Sequence, residues 1–295
     1  MKEKAILCVH IGEMGWEILR FAPHVLWTKY KKFNGRAKLI VLTRPDRFDL
    51  YGHSADILEP LIIEGDFKKY QSDCFKLTGY PIQKYRKLMI DLDKKYSDKY
   101  DIVCRIQPDI DKRKFTEKNQ LPSNEMLYNF NPRPDNFKLI DELIQNKKPC
   151  IVLSPRYREQ AKFRNWPHWE TFYNLLITSG LTEKCNFIVC GKPPEYIPPT
   201  TDKIFNINNI TLTNESSLIG LTIAAIKKSI VTVGSQSGIP NLSNLIGTST
   251  IQWGNEKHAH TKTYNIKNTK TIFLVDPKFN IKPDIVLNHI KKIIS

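Results

Sequence analysis

Cys150-Ile151-Val152-Leu153, then Ser154-Pro155-Arg156-Tyr157-Arg158, then Phe163-Arg164-Asn165-Trp166-Pro167-His168-Trp169: on this stretch the reading of the fold turns. The apolar run predicts a strand, the cationic segment a loop, and Trp166 through Leu176 an amphipathic helix. Pro167 suits the first helical turn, where its missing N–H costs little. A strand, a cationic loop and a helix start in this order make an anion site, because unpaired N–H groups and the helix dipole favour negative charge. Arg156, Arg158, Lys162 and Arg164 point that site at a phosphate or diphosphate. The bland alternative is a tryptophan-rich helix start with solvated basic side chains.

Outward from this stretch the same alternation continues. Strands are predicted at Ala5–Ile11, Lys38–Leu42, Asp101–Ile106, Asn186–Cys190, Ile204–Ile207, Ile230–Val233, Thr250–Trp253 and Thr271–Val275. Ile57–Ile63 is a further apolar run, interrupted by Glu59 and Pro60. Helices are predicted from Gly15 to about Tyr30, from Pro81 to about Lys94, and over Phe137–Asn146, Ser216–Lys227, Ile239–Leu245 and Pro283–Ile294. Gln107 to Phe137 is polar and proline-punctuated, and reads as a long irregular connection. Alternating strands and helices predict an α/β fold of parallel sheets covered on both faces. Two series of similar length predict two doubly wound, Rossmann-like domains facing a cleft, with the boundary at 145. Ligands of such folds bind beyond the carboxyl ends of the strands.

The chain has 295 residues and a net charge of +15, with Lys and Arg spread over its whole length. That balance implies an acidic partner: nucleic acid, an anionic membrane surface or a phosphorylated substrate. The six cysteines include no C-x-x-C pair, and all but Cys74 sit in or beside apolar runs, which suits reduced core residues. No apolar run reaches membrane-spanning length, and the N-terminus lacks the features of a signal peptide, so the expected location is the cytoplasm, with the inner membrane surface as a peripheral site.

Three further loops follow predicted strands. In His10-Ile11-Gly12-Glu13-Met14-Gly15-Trp16-Glu17, Gly12 and Gly15 suit a tight turn, and Glu13 stands where a carboxylate serves as general base. The alternatives are that Glu13 and Glu17 merely complement a helix dipole and that His10 makes a structural hydrogen bond. This is no G-x-G-x-x-G fingerprint, so a dinucleotide-dependent dehydrogenase or epimerase is disfavoured. In Gly234-Ser235-Gln236-Ser237-Gly238, backbone N–H groups and hydroxyls before a helix can cradle phosphate oxygens, or form a plain helix cap. Gly191-Lys192 is a candidate contact for a base or ribose, or a simple turn. Lys257, His258 and His260 lack the partners of a metal site, and none is expected. No Walker loop or nucleophile elbow is present.

Three of these segments together resemble the heptosyltransferase-like group of GT-B glycosyltransferases. Gly12-Glu13 looks like that group's Gly-Asp, whose carboxylate is the catalytic base. Arg164-Asn165-Trp166-Pro167 resembles its basic-x-Trp-Pro segment, whose basic residue contacts the donor diphosphate, with Ser154 and Arg156 in a loop of further donor contacts. Thr232-Val233-Gly234-Ser235-Gln236-Ser237-Gly238 resembles its Asp-Thr-Gly loop, although the aspartate is absent. The resemblance implies an acceptor-binding domain at 1–145, a nucleotide-sugar-binding domain at 146–282, and a closing helix at 283–295 that packs back on the first domain. It implies an inverting transfer from a nucleotide-diphosphate sugar to a hydroxyl of a cell-surface or lipopolysaccharide-type glycan, with no metal and no resident cofactor. One alternative is a phage-type enzyme acting on hydroxymethylated bases in DNA, which the charge suits. The alternative of another class is a non-catalytic nucleic-acid-binding protein, although no recognisable binding module is present.

Overall fold

Ala5 to Val9 are all buried, and a continuous apolar run of this kind forms a strand covered on both faces. They lie in β1 (Glu3–Val9), which pairs in parallel with β2 (Lys38–Thr43) and β4 (Tyr100–Ile106). With β3 (Ile57–Pro60) the sheet order is β3-β2-β1-β4. The computed structural model describes residues 1–10, 15, 17–61, 82–109, 114–115, 129–144, 147–159, 161–194, 196–255, 267 and 269–295, with the backbone alone at 53, 82–85, 108–109 and 114–115.

After β1 the chain runs helically from Glu17 to Lys32. The α-helical turns of α1 (Ala22–Trp27) are flanked by wider π-type turns at Glu17–Phe21 and Thr28–Lys32. Pro23 lies inside this helical run, directly after the π-type turns, where it cannot donate an intrahelical bond. Ile18, Phe21, Ala22, Val25 and Leu26 are buried. Helix α2 (Ile82–Ser97) places Met89 and Tyr96 in a core with Ala5, Leu7, Val9, Ile40 and Leu42. Within the segment expected to be irregular, β5 (Pro108–Asp109) pairs antiparallel with β6 (Lys114–Phe115). Its end is already helical, because Pro134 opens α3 (Pro134–Ile144).

The second sheet has the order β12-β11-β10-β7-β8-β9 and is parallel throughout. Its strands are β7 (Cys150–Ser154), β8 (Asn186–Val189), β9 (Phe205–Asn206), β10 (Ser229–Ser235), β11 (Ser249–Gly254) and β12 (Thr271–Val275). The helices are α4 (Trp169–Thr178), α5 (Leu218–Lys228), α6 (Gly238–Ile246) and α7 (Pro283–Ile294). Trp166, Trp169, Phe172, Tyr173, Trp253 and Phe279 pack with Ile151, Leu153, Val231 and Val233 into one core.

Two compact units result, Met1–Asn131 and Pro132–Ser295. The expected boundary at 145 therefore moves toward the N-terminus. Helix α3 belongs to the second unit because Asn136 Oδ1 accepts from Ser217 N (3.1 Å), Asp135 Oδ2 from Thr213 Oγ1 (3.0 Å), and Asp141 pairs with Lys228 (2.7 Å). The closing helix α7 likewise lies in the second unit's own core, through Val286, Leu287 and Ile290.

Both units have the same winding. From its first strand the chain moves outward to one side, then returns to the strand's other flank: β1, β2, β3, then β4, and β7, β8, β9, then β10. The sheet order reverses beside β1 and beside β7. At such a reversal the connections leave in opposite directions and open a crevice at the carboxyl ends of the strands. His10 after β1, and the residues that follow β7 and β10, thereby lie at the carboxyl edges of their sheets.

Candidate functional site

In the second unit the reversal lies between β7 and β10, where Gly234 pairs in register with Ser154. Ser154 is buried at the end of β7, and Ser235 and Gln236 are buried at the end of β10. Gln236 N donates to Trp253 O (2.8 Å), which ties the turn to β11. Ser235 Oγ, fully buried, has no hydrogen-bond partner among the described residues. Ser237 precedes α6 in extended backbone without a side-chain cap bond. A Cβ built at Gly238 would meet nothing within 4 Å, so the first turn of α6 is open to an approaching group. Uncapped N–H groups and the positive end of the helix dipole there attract an anion.

Arg164 is carried to this turn. Its Nη2 donates to the carbonyl of Gln236, and its guanidinium lies 5.9 Å from the centre of the Phe279 ring. The Pro155–Asn165 loop that presents it is braced from within. Asn165 Oδ1 accepts from Arg158 N (3.0 Å) and Asn165 Nδ2 donates to Arg158 O (2.9 Å), as a strand neighbour would. Arg156, only 9% exposed, donates from Nη1 to Asn165 Oδ1 and to Ala161 O (3.3 Å). Arg156 is thus turned into its own loop, while Arg164 reaches the turn before α6.

The tryptophan-rich stretch does not present the helix start that was expected of it. Helix α4 begins at Trp169, not Trp166, and both tryptophans are completely buried. Trp166 Nε1 donates to Ile281 O (2.7 Å), and His168 Nε2 is 2.7 Å from Asn280 Oδ1. The first turn of α4 already carries Glu170. These tryptophans are core, and the open helix start is that of α6.

Gly191 follows β8, and a Cβ there would stand 2.4 Å from Tyr196 Cβ, so a tyrosine packed on the backbone accounts for this glycine. Its carbonyl accepts from Asn208 Nδ2 (3.0 Å), and Lys192 is exposed.

In the first unit, Gly12 and Glu13 lie outside the described residues, as do Lys257, His258 and His260 of the second. Gly15 is half-buried. His10 and Glu17 meet in a buried cluster. Glu17 Oε2 is 3.0 Å from His10 Nδ1 and accepts from Arg47 Nη1 (2.7 Å), while Oε1 accepts from Thr43 Oγ1 (2.7 Å) and Tyr51 OH (2.6 Å). His10, Glu17 and Thr43 are fully buried. Burial alone would raise the Glu17 carboxyl, but the charges of its partners and the hydrogen bonds it accepts outweigh this and hold it at about 2. Burial pushes the His10 imidazole below its ordinary value, against the pull of Glu17. A neutral His10 donating to an Arg47-paired carboxylate satisfies both directions. His10 is accordingly an interior hydrogen-bonded group, and Glu17 is a buried anion instead of a dipole-complementing surface acid.

Sequence reasoning missed Arg47, Tyr51 and Phe279, which belong to no short motif and act through partners distant in sequence. Asn165 lies within the Arg164–Pro167 segment, but its bracing of Arg156 and Arg158 was not foreseen. Among the described residues no three His, Cys, Asp or Glu side chains gather to hold a metal ion, and no helix is long and apolar enough to cross a membrane.

Solved structures share this architecture over the full chain. The glycosyl transferase family 9 protein of Veillonella parvula is similar at a TM-score of 0.61 with 11% identity, covering 100% of this chain and 98% of that one. E. coli ADP-heptose lps heptosyltransferase II gives 0.58 and 12%, covering 98% of each chain. E. coli heptosyltransferase WaaC with ADP gives 0.54 and 11%, covering 98% of this chain and 99% of that one. No sequence-family model and no curated relative matches the chain. The likeness is one of fold, and it bears out the expected GT-B architecture of two Rossmann-like domains.

Proposed function

We propose that this chain is an inverting, metal-independent glycosyltransferase that moves a sugar from a nucleotide-diphosphate donor to a hydroxyl of a surface-glycan or lipopolysaccharide-type acceptor. The observation that carries the reading is Arg164, bound to the Gln236 carbonyl beside the open first turn of α6 at the sheet's reversal point. A cation beside an uncapped helix start suits a diphosphate. The fold shared with the heptosyltransferases supports the same reading.

In this mechanism the acceptor oxygen attacks the anomeric carbon as the bond from that carbon to the diphosphate oxygen breaks. Glu13 takes the acceptor's proton. The electron pair of the broken bond goes to the diphosphate, whose growing charge is met by Arg164 and the first turn of α6. Fixed donors stabilise such a leaving group without reorganising during the reaction. Ser154 and Arg156 shape the adjoining wall, and no resident cofactor takes part. A peripheral encounter with an anionic membrane surface suits the charge of +15.

Screening nucleotide sugars for thermal stabilisation tests the donor half. If none stabilises the chain, the reading fails. A transfer assay with lipid-linked and soluble glycans, run beside hydroxymethylated DNA, tests the acceptor. Transfer to the DNA alone would replace the glycan.

A further inference from the structure

The turn after β12 holds a phenylalanine in a backbone conformation that side chains avoid. Phe279 has φ +54°, yet its side chain is 1% exposed. Such strain persists where the surroundings over-determine it, and it gathers at functional positions. Asp276 is the main determinant here. Its Oδ1 accepts from Lys278 N (2.9 Å), its Oδ2 from Asn280 N (2.7 Å) and its carbonyl from Phe279 N (3.0 Å). Asp276 N donates in turn to Gly254 O (3.0 Å), so the turn hangs from the end of β11. A Cβ at Gly254 would stand 2.9 Å from Gln236 Oε1 and 3.2 Å from Phe279 Cε1, so the glycine leaves room for both. The Phe279 ring meets Phe163 edge-on at 6.2 Å and lies under the Arg164 guanidinium at 5.9 Å.

We propose that Phe279 is a positioning residue for the anion clamp: its ring, held by the Asp276 turn, fixes the Arg164 guanidinium beside the start of α6. The negative face of the ring attracts the cation and restricts its plane, while the Gln236 carbonyl anchors one end. A guanidinium fixed in advance loses less freedom when a diphosphate arrives. This rests on reading Arg164 as a diphosphate ligand.

The test measures binding of inorganic pyrophosphate and of ADP to the full chain by calorimetry. Phe279→Leu, which keeps bulk and loses the ring, is expected to weaken pyrophosphate binding about tenfold, and Phe279→Tyr to restore it. In an Arg164→Ala background, Phe279→Leu should cost nothing further. Wild-type affinity in Phe279→Leu, or an undiminished loss in the Arg164→Ala background, overturns the proposal. Should Phe279→Leu fail to fold, Asp276→Ala, which removes only bonds to exposed backbone, takes its place with the same expected loss. Pyrophosphate bound through Arg164 without turnover of any nucleotide sugar would overturn the glycosyltransferase reading alone. A wild-type chain that binds neither probe would overturn both.

Discussion

His10 Nδ1 and Glu17 Oε2 stand 3.0 Å apart with both side chains fully buried, one at each end of the loop that carries Glu13. Arg47, Thr43 and Tyr51 complete the coordination of the carboxylate. Glu17→Ala would leave Arg47 buried without its charge partner. The expected cost is about 3–5 kcal/mol of stability, read by urea denaturation, because a broken buried pair leaves an uncompensated charge. A loss no larger than that of an exposed-glutamate control would show that the cluster does not hold the fold.

The same cluster gives a pH dependence. Glu17 titrates at about 2 in the folded chain against an ordinary 4.5, and His10 lies below its ordinary 6.5. In both cases the unfolded chain takes up the proton first. Stability is therefore present above the ordinary His value and falls as pH drops, first below 6.5 and then from 4.5 toward 2. Thermal melts across this range should show the decline, and His10→Asn should remove its upper part. A flat profile between neutral pH and pH 5, roughly, would contradict a neutral buried His10.

The proposed donor site makes Arg164 its main cation. Arg164→Ala is expected to lower kcat/KM by roughly 100- to 1,000-fold, as removal of one fixed donor to a developing anion does. Arg156→Ala should instead act through stability, because Arg156 braces its own loop through Asn165. Steady-state kinetics beside melting curves separates the two. Equal kinetic losses with unchanged melting would show that Arg156 also binds donor.

Glu13→Gln keeps the side chain's shape and removes the proposed base. Turnover should fall about 100- to 10,000-fold while nucleotide affinity stays near wild type. Full activity in the variant would refute the assignment.

Trp166→Phe tests the core assignment of the stretch first read as an anion site. The ring packs on Trp169 and Trp253, and its Nε1 satisfies the Ile281 carbonyl. Loss of that donor is expected to cost about 1–3 kcal/mol with nucleotide affinity unchanged. A selective loss of nucleotide binding at constant stability would return Trp166 to the site.

Much of the fold was legible in the sequence. The apolar runs of β1, β2, β7, β10 and β11 are buried on both faces, and a doubly covered strand leaves that signature without help from its neighbours. Helix α7 and strand β12 fall where periodicity puts them, Pro283–Ile294 and Thr271–Val275. Less legible were elements defined by partners. Helix α3 is amphipathic in sequence, but only its bonds to Ser217, Thr213 and Lys228 assign it to the second unit.

For the candidate site, residue chemistry alone marked Arg164 and the Ser235–Gly238 turn, because a guanidinium and a glycine- and serine-rich helix start suit an anion. Sequence also determined the doubly wound winding, since parallel strands require helical crossovers. Tertiary structure decided which helix start is open, turning Trp166 and Trp169 inward and leaving Gly238 clear. It decided that His10 and Glu17 face each other, and that Phe279 lies under Arg164. Burial and pairing across 100 residues or more belong to no local stretch, as the separation of Arg164 from Phe279 shows. They arise only when the sheet order brings distant strand ends to one edge.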